Sequence, residues 1–438
     1  MRKNCIVVGA GISGLVAAHE LAKVGYKITV LEKNSFIGGR IYPFVREGFT
    51  ADAGAQLIGE EYYNTFRLLK DIGLENDLIK LNEPSAALYS GKKIFSLNFL
   101  GIIKHNKLNF YDKLDLYRLL KKVDIIGKQC YLTFTNEKNQ QDFDSISIAE
   151  WTIKNSTERI LEYFVQPSIT ALTLTEPEKL SALYGLTLLY SDLKNSYTLK
   201  NGLSSVISSI SQKLKNFGGI INTNCEVVKI ERENKKFVVE YKHNNETKMI
   251  ETSNVICSTP AFATIKILPK LSSSTKSALS NVEYSSGLQI LLALNEPVWN
   301  NSWAILIPRK ELKDFAMISE STVASPTFAP KGKGLMEVFV YGKTANRLSK
   351  LSKPKIIKFI LDKLKLLFPK ISKKLTWYEV IRWDYVIPIY PPGFSEIRRE
   401  FKTSIDNLAL AGDYLYLPSI ESAVYSGFKA AQQIKNSM

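Results

Sequence analysis

Apolar positions near the start of the chain switch period twice. Residues 5–9, CIVVG, form the short unbroken run of a buried parallel strand. Residues 13–24, SGLVAAHELAKV, carry an apolar stripe at helical spacing, and KITVL at 27–31 reads as a second strand. The pattern returns at 202–241, which predicts a helix, a glycine turn and two strands, followed by the apolar stretch NVICSTPAFAT at 254–264. Near the far end, NLALAGDYLYL runs apolar up to Gly412 and Asp413, as suits a strand delivering a carboxylate to a ligand at its carboxyl end. PSIESAVYSGFKAAQQI then supplies a proline, a serine cap and a helical period reaching Ile434, so a helix is predicted to start near Ser419–Ser422. Between these parts, DKLDLYRLLKKVDIIGKQ and SIAEWTIKN predict helices, whereas GLQILLAL and GLMEVFVYG predict strands. The expected fold class is α/β. No eighteen consecutive apolar residues occur, so a membrane-spanning helix is not predicted.

The first strand and helix are joined by Gly9-Ala10-Gly11-Ile12-Ser13-Gly14. In such a loop the first glycine allows a tight turn, the second lets a pyrophosphate approach the backbone, and the third lets helix and strand pack closely. Phosphates then sit at the positive helix N-terminus. Glu32, eighteen residues beyond Gly14 and followed by Lys33, ends the second strand. A carboxylate there accepts from both ribose hydroxyls and repels a 2′-phosphate, which disfavours NADP and leaves FAD and NAD open. At the other end, a helix beginning near Ser419 would aim free N–H groups and a positive dipole end outward, where they could stabilise negative charge on a reduced flavin.

Immediately after Glu32 come Gly38-Gly39-Arg40 and then GFTADAGAQLI at 48–58. With the opening glycines this combination resembles the flavin amine oxidase superfamily, which includes protoporphyrinogen oxidases and carotenoid desaturases. The resemblance implies FAD and a Rossmann-like domain assembled from 1–84, 196–266 and 396–438, and since no cysteine or histidine lies near the C-terminal motif the FAD is expected to be non-covalent. An α+β substrate domain would then be built from 85–195 and 267–395. It implies that Gly9, Gly11, Ile12, Ser13, Gly14, Glu32, Lys33, Gly38, Gly39 and Arg40 form one half-site, with Arg40 beside the pyrophosphate and flavin. Gly54, Ala55 and Gln56, in a turn beginning at Asp52, would run along the isoalloxazine. Val227 would touch adenine, Gly412 and Asp413 the ribityl or pyrophosphate, and the backbone at Ser422 and Ala423 the pyrimidine edge.

In the amine-oxidising branch a lysine commonly stands ahead of a Glu-Pro-aromatic turn. In GLQILLALNEPVW that position is Gln289, and no lysine lies between Lys276 and Lys310, which weakens amine oxidation. Gln289, Trp383, Tyr385 and Tyr390 are the candidates for the substrate cavity. The first expectation is oxidation or desaturation of a hydrophobic substrate by hydride transfer to flavin. Protoporphyrinogen oxidation, amine oxidation, polyene isomerisation and a non-catalytic FAD-bound scaffold follow as alternatives. The electron acceptor would be oxygen or a quinone.

The net charge of +16 favours anionic partners. Two basic amphipathic stretches, 92–107 and 353–374, raise contact with an anionic membrane surface. The alternative for 353–374 is an ordinary helix packed through Ile356, Ile360, Leu364 and Leu367 with a solvated lysine face. No nucleic-acid-binding framework is present. Cys5, Cys130, Cys225 and Cys257 are widely spaced, and His19, His105 and His243 are the only histidines, so neither a metal site nor an imidazole base is expected. A reducing, cytoplasmic setting follows, with peripheral membrane contact left open.

Overall fold

The computed structural model describes residues 3–133, 141–401, 403 and 405–437. Its centre is a five-stranded sheet in the order Ile220–Asn222, Lys27–Leu31, Asn4–Val8, Asn254–Cys257, Leu408–Leu410, parallel throughout. Successive side chains leave opposite faces, as the two-residue strand period requires. Cys5, Val7, Val30 and Ile256 pack on one side with the helices Ile12–Ala22, Ser204–Asn216 and Ile420–Asn436. Ile6, Val8, Leu31 and Cys257 face the other side, against the antiparallel sheet Cys225–Glu233, Lys236–His243, Glu246–Thr252.

The long helix Phe110–Thr133 and the strands Gly287–Leu294 and Gly334–Tyr341 form where the apolar pattern places them. The two strands belong to a seven-stranded sheet ordered Leu375–Trp383, Gly287–Leu294, Gly334–Tyr341, Phe315–Glu320, Ala304–Leu306, Ala86–Ser90, Lys93–Ser96. Its outer face is covered by the helix Lys353–Leu364, and Leu291, Ala293, Leu335 and Trp377 line the inner face. Against that inner face lies the hairpin Ile41–Arg46 with Phe49–Gly54, which sequence periodicity did not reveal.

The helix Lys353–Leu364 has its apolar side committed, because Ile356, Ile360 and Leu364 are fully buried against the sheet. Turning three such side chains outward would cost roughly 5–9 kcal/mol. The face offered to a membrane by this stretch is therefore inside the protein, and its lysines are what remain outside. Among the described residues no helix is long and apolar enough to cross a membrane.

Candidate functional site

Four of the parallel strands end side by side, and the continuations of three of them carry sequence-predicted residues. Gly9, Glu32, Ser258 and Gly412 all follow carboxyl ends of this sheet, where ligands of open α/β sheets bind. Gly9 has φ +99°, and its N–H donates to the Leu31 carbonyl at 2.8 Å. Gly14 is pressed so tightly onto the first strand that an added Cβ would lie 2.2 Å from the Gly9 carbonyl oxygen. Ser258 Oγ donates to the carbonyls of Val8 and Gly9 at 2.8 and 2.9 Å and locks this turn from the neighbouring strand.

Gly11 is the N-cap of the helix Ile12–Ala22 and supplies no side-chain cap to its first turn, which begins with buried Ile12 and Ser13. A Cβ at Gly11 would meet nothing within 4 Å, so its outer side is open. Open space beside uncapped N–H groups fits a pyrophosphate. Glu32 is buried, with one carboxylate oxygen accepting from Ala10 N–H and the other from Asn34 N–H, each at 2.8 Å. These bonds fix the carboxylate at the end of the strand. Lys33 turns to the surface and pairs with Glu226 at 3.0 Å. Val227 is buried on the strand whose first residue, Cys225, donates its N–H to the Glu32 carbonyl at 2.7 Å.

Gly38 and Gly39, at φ +112° and +61°, bring the next turn against the glycine loop, where Gly38 N–H donates to the Ala10 carbonyl at 2.8 Å. Arg40 follows and reaches Asp413 with two parallel hydrogen bonds of 2.7 and 2.8 Å, while its Nη1 also donates to the Val386 carbonyl. This bidentate pair joins the two ends of the chain into one site. Gly412 N–H donates to Ser426 Oγ at 2.9 Å, which anchors the Asp413 turn to the terminal helix. At that helix start, Ser419 Oγ accepts from Ser422 N–H and the Ser419 carbonyl from Ala423 N–H, each at 3.1 Å. The backbone at Ser422 and Ala423 was expected to face the pyrimidine edge of the flavin. Capping by Ser419 engages both, and the donors ahead of them in the first turn are Ile420 and Glu421.

The Asp52–Gln56 turn differs from its sequence reading in one respect. The Asp52 side chain accepts from Leu203 N–H at 2.8 Å and Ser204 N–H at 3.2 Å, so it caps the helix Ser204–Asn216 from a distant strand. Burial pushes this carboxyl up to about 6, with the two N–H donors holding it down. Gly54, at φ +104°, lets the turn pass under Arg40, for a Cβ there would lie 2.2 Å from the Arg40 carbonyl oxygen. Ala55 N–H donates to the same oxygen at 3.2 Å.

Two of the four cavity candidates do not line a cavity. Gln289 is fully buried, and its amide is consumed by Glu337, the Asp52 carbonyl, Gly54 N–H and Trp383 Nε1. Tyr390 is 1% exposed and donates its hydroxyl to the carbonyls of Tyr414 and Tyr416, clamping the segment after Asp413. Trp383 is half-buried over the Gly54 turn and against Tyr42. Tyr385 is exposed beside Phe262 and Tyr284, next to the Val386 carbonyl that Arg40 uses. Sequence reasoning missed Glu337 and Ser258. For Glu337 a signal existed, since a lone carboxylate within GLMEVFVYG demands buried partners.

His19, Glu20 and Asp71 bring three possible metal donors within 4.8 Å, but Lys23 Nζ bonds both carboxylates at 3.1 and 2.8 Å and already supplies the cation.

A parallel sheet with this glycine loop, this strand-ending glutamate and a second half-site from the chain's far end defines a dinucleotide-binding protein of the doubly wound class. The flavin containing amine oxidoreductase family model matches residues 12–435, and the chain belongs to that family. It is an FAD-dependent oxidoreductase. Zeta-carotene desaturase of Solanum lycopersicum is 25% identical over 98% of this chain and 80% of its own length. Flavin-containing amine oxidase A of Sus scrofa is 24% identical over 99% of this chain and 85% of its own length. Among solved structures, a triple mutant of putrescine oxidase superposes with a TM-score of 0.82 at 18% identity, covering 100% of this chain and 99% of the other.

Proposed function

We propose that this enzyme oxidises or desaturates a hydrophobic small molecule, in the manner of carotenoid desaturation. Protoporphyrinogen and amines are the competing substrate classes, and oxygen or a quinone is the acceptor. The observation that carries the reading is Gln289. The position facing the Gly54 turn holds a neutral amide with every polar atom engaged, and no ammonium group reaches the reacting region from it. Farther along the same sheet face the side chains are apolar, including Leu88, Leu306, Met317 and Phe339. The relatives named for carotene desaturation and for amine oxidation are nearly equally similar, so the choice between them rests on these residues.

In this reading the chain divides into 1–84, 196–266 and 396–438 for the cofactor and 85–195 and 267–395 for the substrate. Gly9 to Gly14 hold the pyrophosphate, Glu32 the ribose, and Val227 borders the adenine. Lys33, held at the surface by Glu226, contributes charge to the entrance at most. Gly38, Gly39 and the Arg40–Asp413 pair close over the ribityl and phosphates, and Gly54, Ala55 and Gln56 run along the ring system. Gly412, Ser422 and Ala423 shape the terminal helix start, from which Ile420 and Glu421 offer N–H groups where negative charge collects. Bound FAD supplies the two-electron acceptor. The protein positions a C–H bond beside it and excludes water.

The test is anaerobic addition of phytoene in liposomes, protoporphyrinogen or polyamines to the FAD-loaded protein, followed by visible absorbance. Phytoene is expected to remove the oxidised flavin band. Bleaching by polyamines alone would replace this reading with amine oxidation, and dithionite-only reduction would favour a binding role.

Delivery of such a substrate would come from a lipid surface. Helix Phe99–Lys104 exposes Leu100 and Ile103, and the next helix leaves Phe110 and Tyr111 70% and 75% exposed. Lys104, Lys107 and Lys113 are interleaved with them along the chain. Exposed apolar groups interleaved with lysines suit an anionic bilayer. Co-sedimentation with phosphatidylserine vesicles is expected to fall at least about tenfold in F110S/Y111S, and unchanged binding would remove this surface from the proposal.

A further inference from the structure

Behind the Gly54–Gln56 turn lies a buried carboxylate with hydrogen bonds from three side chains. Glu337 Oε1 accepts from Ser321 Oγ at 2.5 Å, and Oε2 accepts from Gln289 Nε2 at 2.6 Å and Gln56 Nε2 at 2.7 Å. The two glutamines are not equivalent. Gln289 also donates to the Asp52 carbonyl at 3.0 Å and accepts at Oε1 from Gly54 N–H and Trp383 Nε1, at 3.1 and 3.3 Å. Turning that amide over would break all of these bonds. Gln56 has only a long second contact, 3.5 Å to the Asp52 carbonyl, and its Oε1 is buried without a partner.

An ionised carboxylate accepts only, and a protonated one must donate its proton. With the proton on Oε2, both facing amide groups are donors and one must reorient. Gln56 can do so by exchanging its unpartnered Oε1 with Nε2. One N–H···O bond is then replaced by one O–H···O bond, so the count of strong bonds is unchanged. We propose that Glu337 and Gln56 form a proton-operated switch, in which protonation of Glu337 turns over the Gln56 amide and the turn presents an N–H donor in place of a carbonyl acceptor. This rests on the placement of Gly54–Gln56 along the flavin given above. Glu337 acts through Gln56 and is a positioning residue.

The surrounding charges set where the switch turns. Burial raises the Glu337 carboxyl to about 7, the three donors hold it down, and the charge of Asp52 adds to the rise. On the flanking strand Glu320 is buried and accepts from Leu335 N–H, and on the strand beyond Gln289 Glu379 is paired with Lys353. Arg347, on the short helix Gly342–Leu348, lies over Phe359 of the helix that covers the opposite face. Glu337 is therefore ionised above about pH 7 and protonated below it.

The experiment titrates FAD-loaded protein between about pH 5.5 and 8.5 while following the flavin absorption band. The infrared carboxyl band of the FAD-free protein is titrated in parallel, for wild type, E337Q and Q56L. Wild type is expected to show a step near pH 7 in both signals, with the Asp52 carboxyl adding a separate infrared step near pH 6. E337Q should lose the step near pH 7 from both signals and keep that of Asp52, with its flavin band fixed at the low-pH position. Q56L should keep the carboxyl step and lose the flavin step. A flavin step that survives in Q56L overturns the switch in favour of a rearrangement through Ser321, and one that survives in E337Q removes Glu337 altogether. Tight FAD binding without any step leaves the site in place and overturns the switch. A carboxyl step in protein that fails to bind FAD overturns the placement of the turn.

Discussion

Arg40→Met is expected to abolish tight FAD binding and to lower the unfolding free energy of the FAD-free protein by about 3 kcal/mol. The Arg40 guanidinium meets Asp413 through two hydrogen bonds of 2.7 and 2.8 Å. The Asp413 side chain is 7% exposed, against 31% for Arg40. Removing the cation strands a buried carboxylate, and breaking a buried pair from one side costs about 3–5 kcal/mol. Water entering beside the partly exposed arginine places the effect at the lower end of that range. The double variant R40M/D413L should recover most of the lost stability, because an apolar replacement of both charges leaves no buried ion behind. It should not recover FAD, since the pair's position between the two half-sites is lost. Urea unfolding of the FAD-free proteins, with FAD titration followed by fluorescence, separates the effects. Equal instability of single and double variants would show that the stranded charge is not the cause.

What could be read from the sequence was whatever a backbone conformation or a close approach restricts to few residue types. Gly9 and Gly38 need positive φ, Gly14 needs the absence of a Cβ, and each demand leaves glycine at a fixed spacing. Strand and helix periods are equally local, so the element order 4–31 and the terminal helix Ile420–Asn436 followed from pattern alone. Polar partnerships across the fold leave no such trace. Arg40 and Asp413 were both expected at the cofactor, but nothing in either neighbourhood says that they bond each other across the whole chain. Asp52 was grouped with the flavin turn because it precedes Gly54. Its carboxylate instead caps a helix start about 150 residues later, a partnership that no local pattern around Asp52 could show. Tyr390 was judged by the company of aromatic neighbours and Gln289 by its place ahead of the Glu-Pro turn, and neither distinguishes a cavity wall from a buried clamp.

Two glycines of the same loop are expected to respond in opposite ways to the same methyl group. At Gly14 a Cβ would sit 2.2 Å from the Gly9 carbonyl oxygen and 2.3 Å from Ser258 Oγ. Ser258 can rotate only by giving up its bonds to the Val8 and Gly9 carbonyls. The backbone oxygen cannot move without lifting the helix from the strand. Gly14→Ala should therefore destabilise the FAD-free protein by about 3 kcal/mol, at the upper end of overpacking costs. Gly11 has φ −70° and ψ 170°, which any residue adopts, and open space where the methyl would go. Gly11→Ala should cost the FAD-free protein no more than about 1 kcal/mol, the loss of a glycine N-cap. It should nevertheless weaken FAD binding by at least about a hundredfold, because the methyl occupies the approach that a pyrophosphate needs. Thermal unfolding without FAD and equilibrium FAD titration of both variants make the comparison. Wild-type FAD affinity in Gly11→Ala would mean that the open side of the loop is not where the phosphates lie, and the half-site would have to be moved away from this helix start.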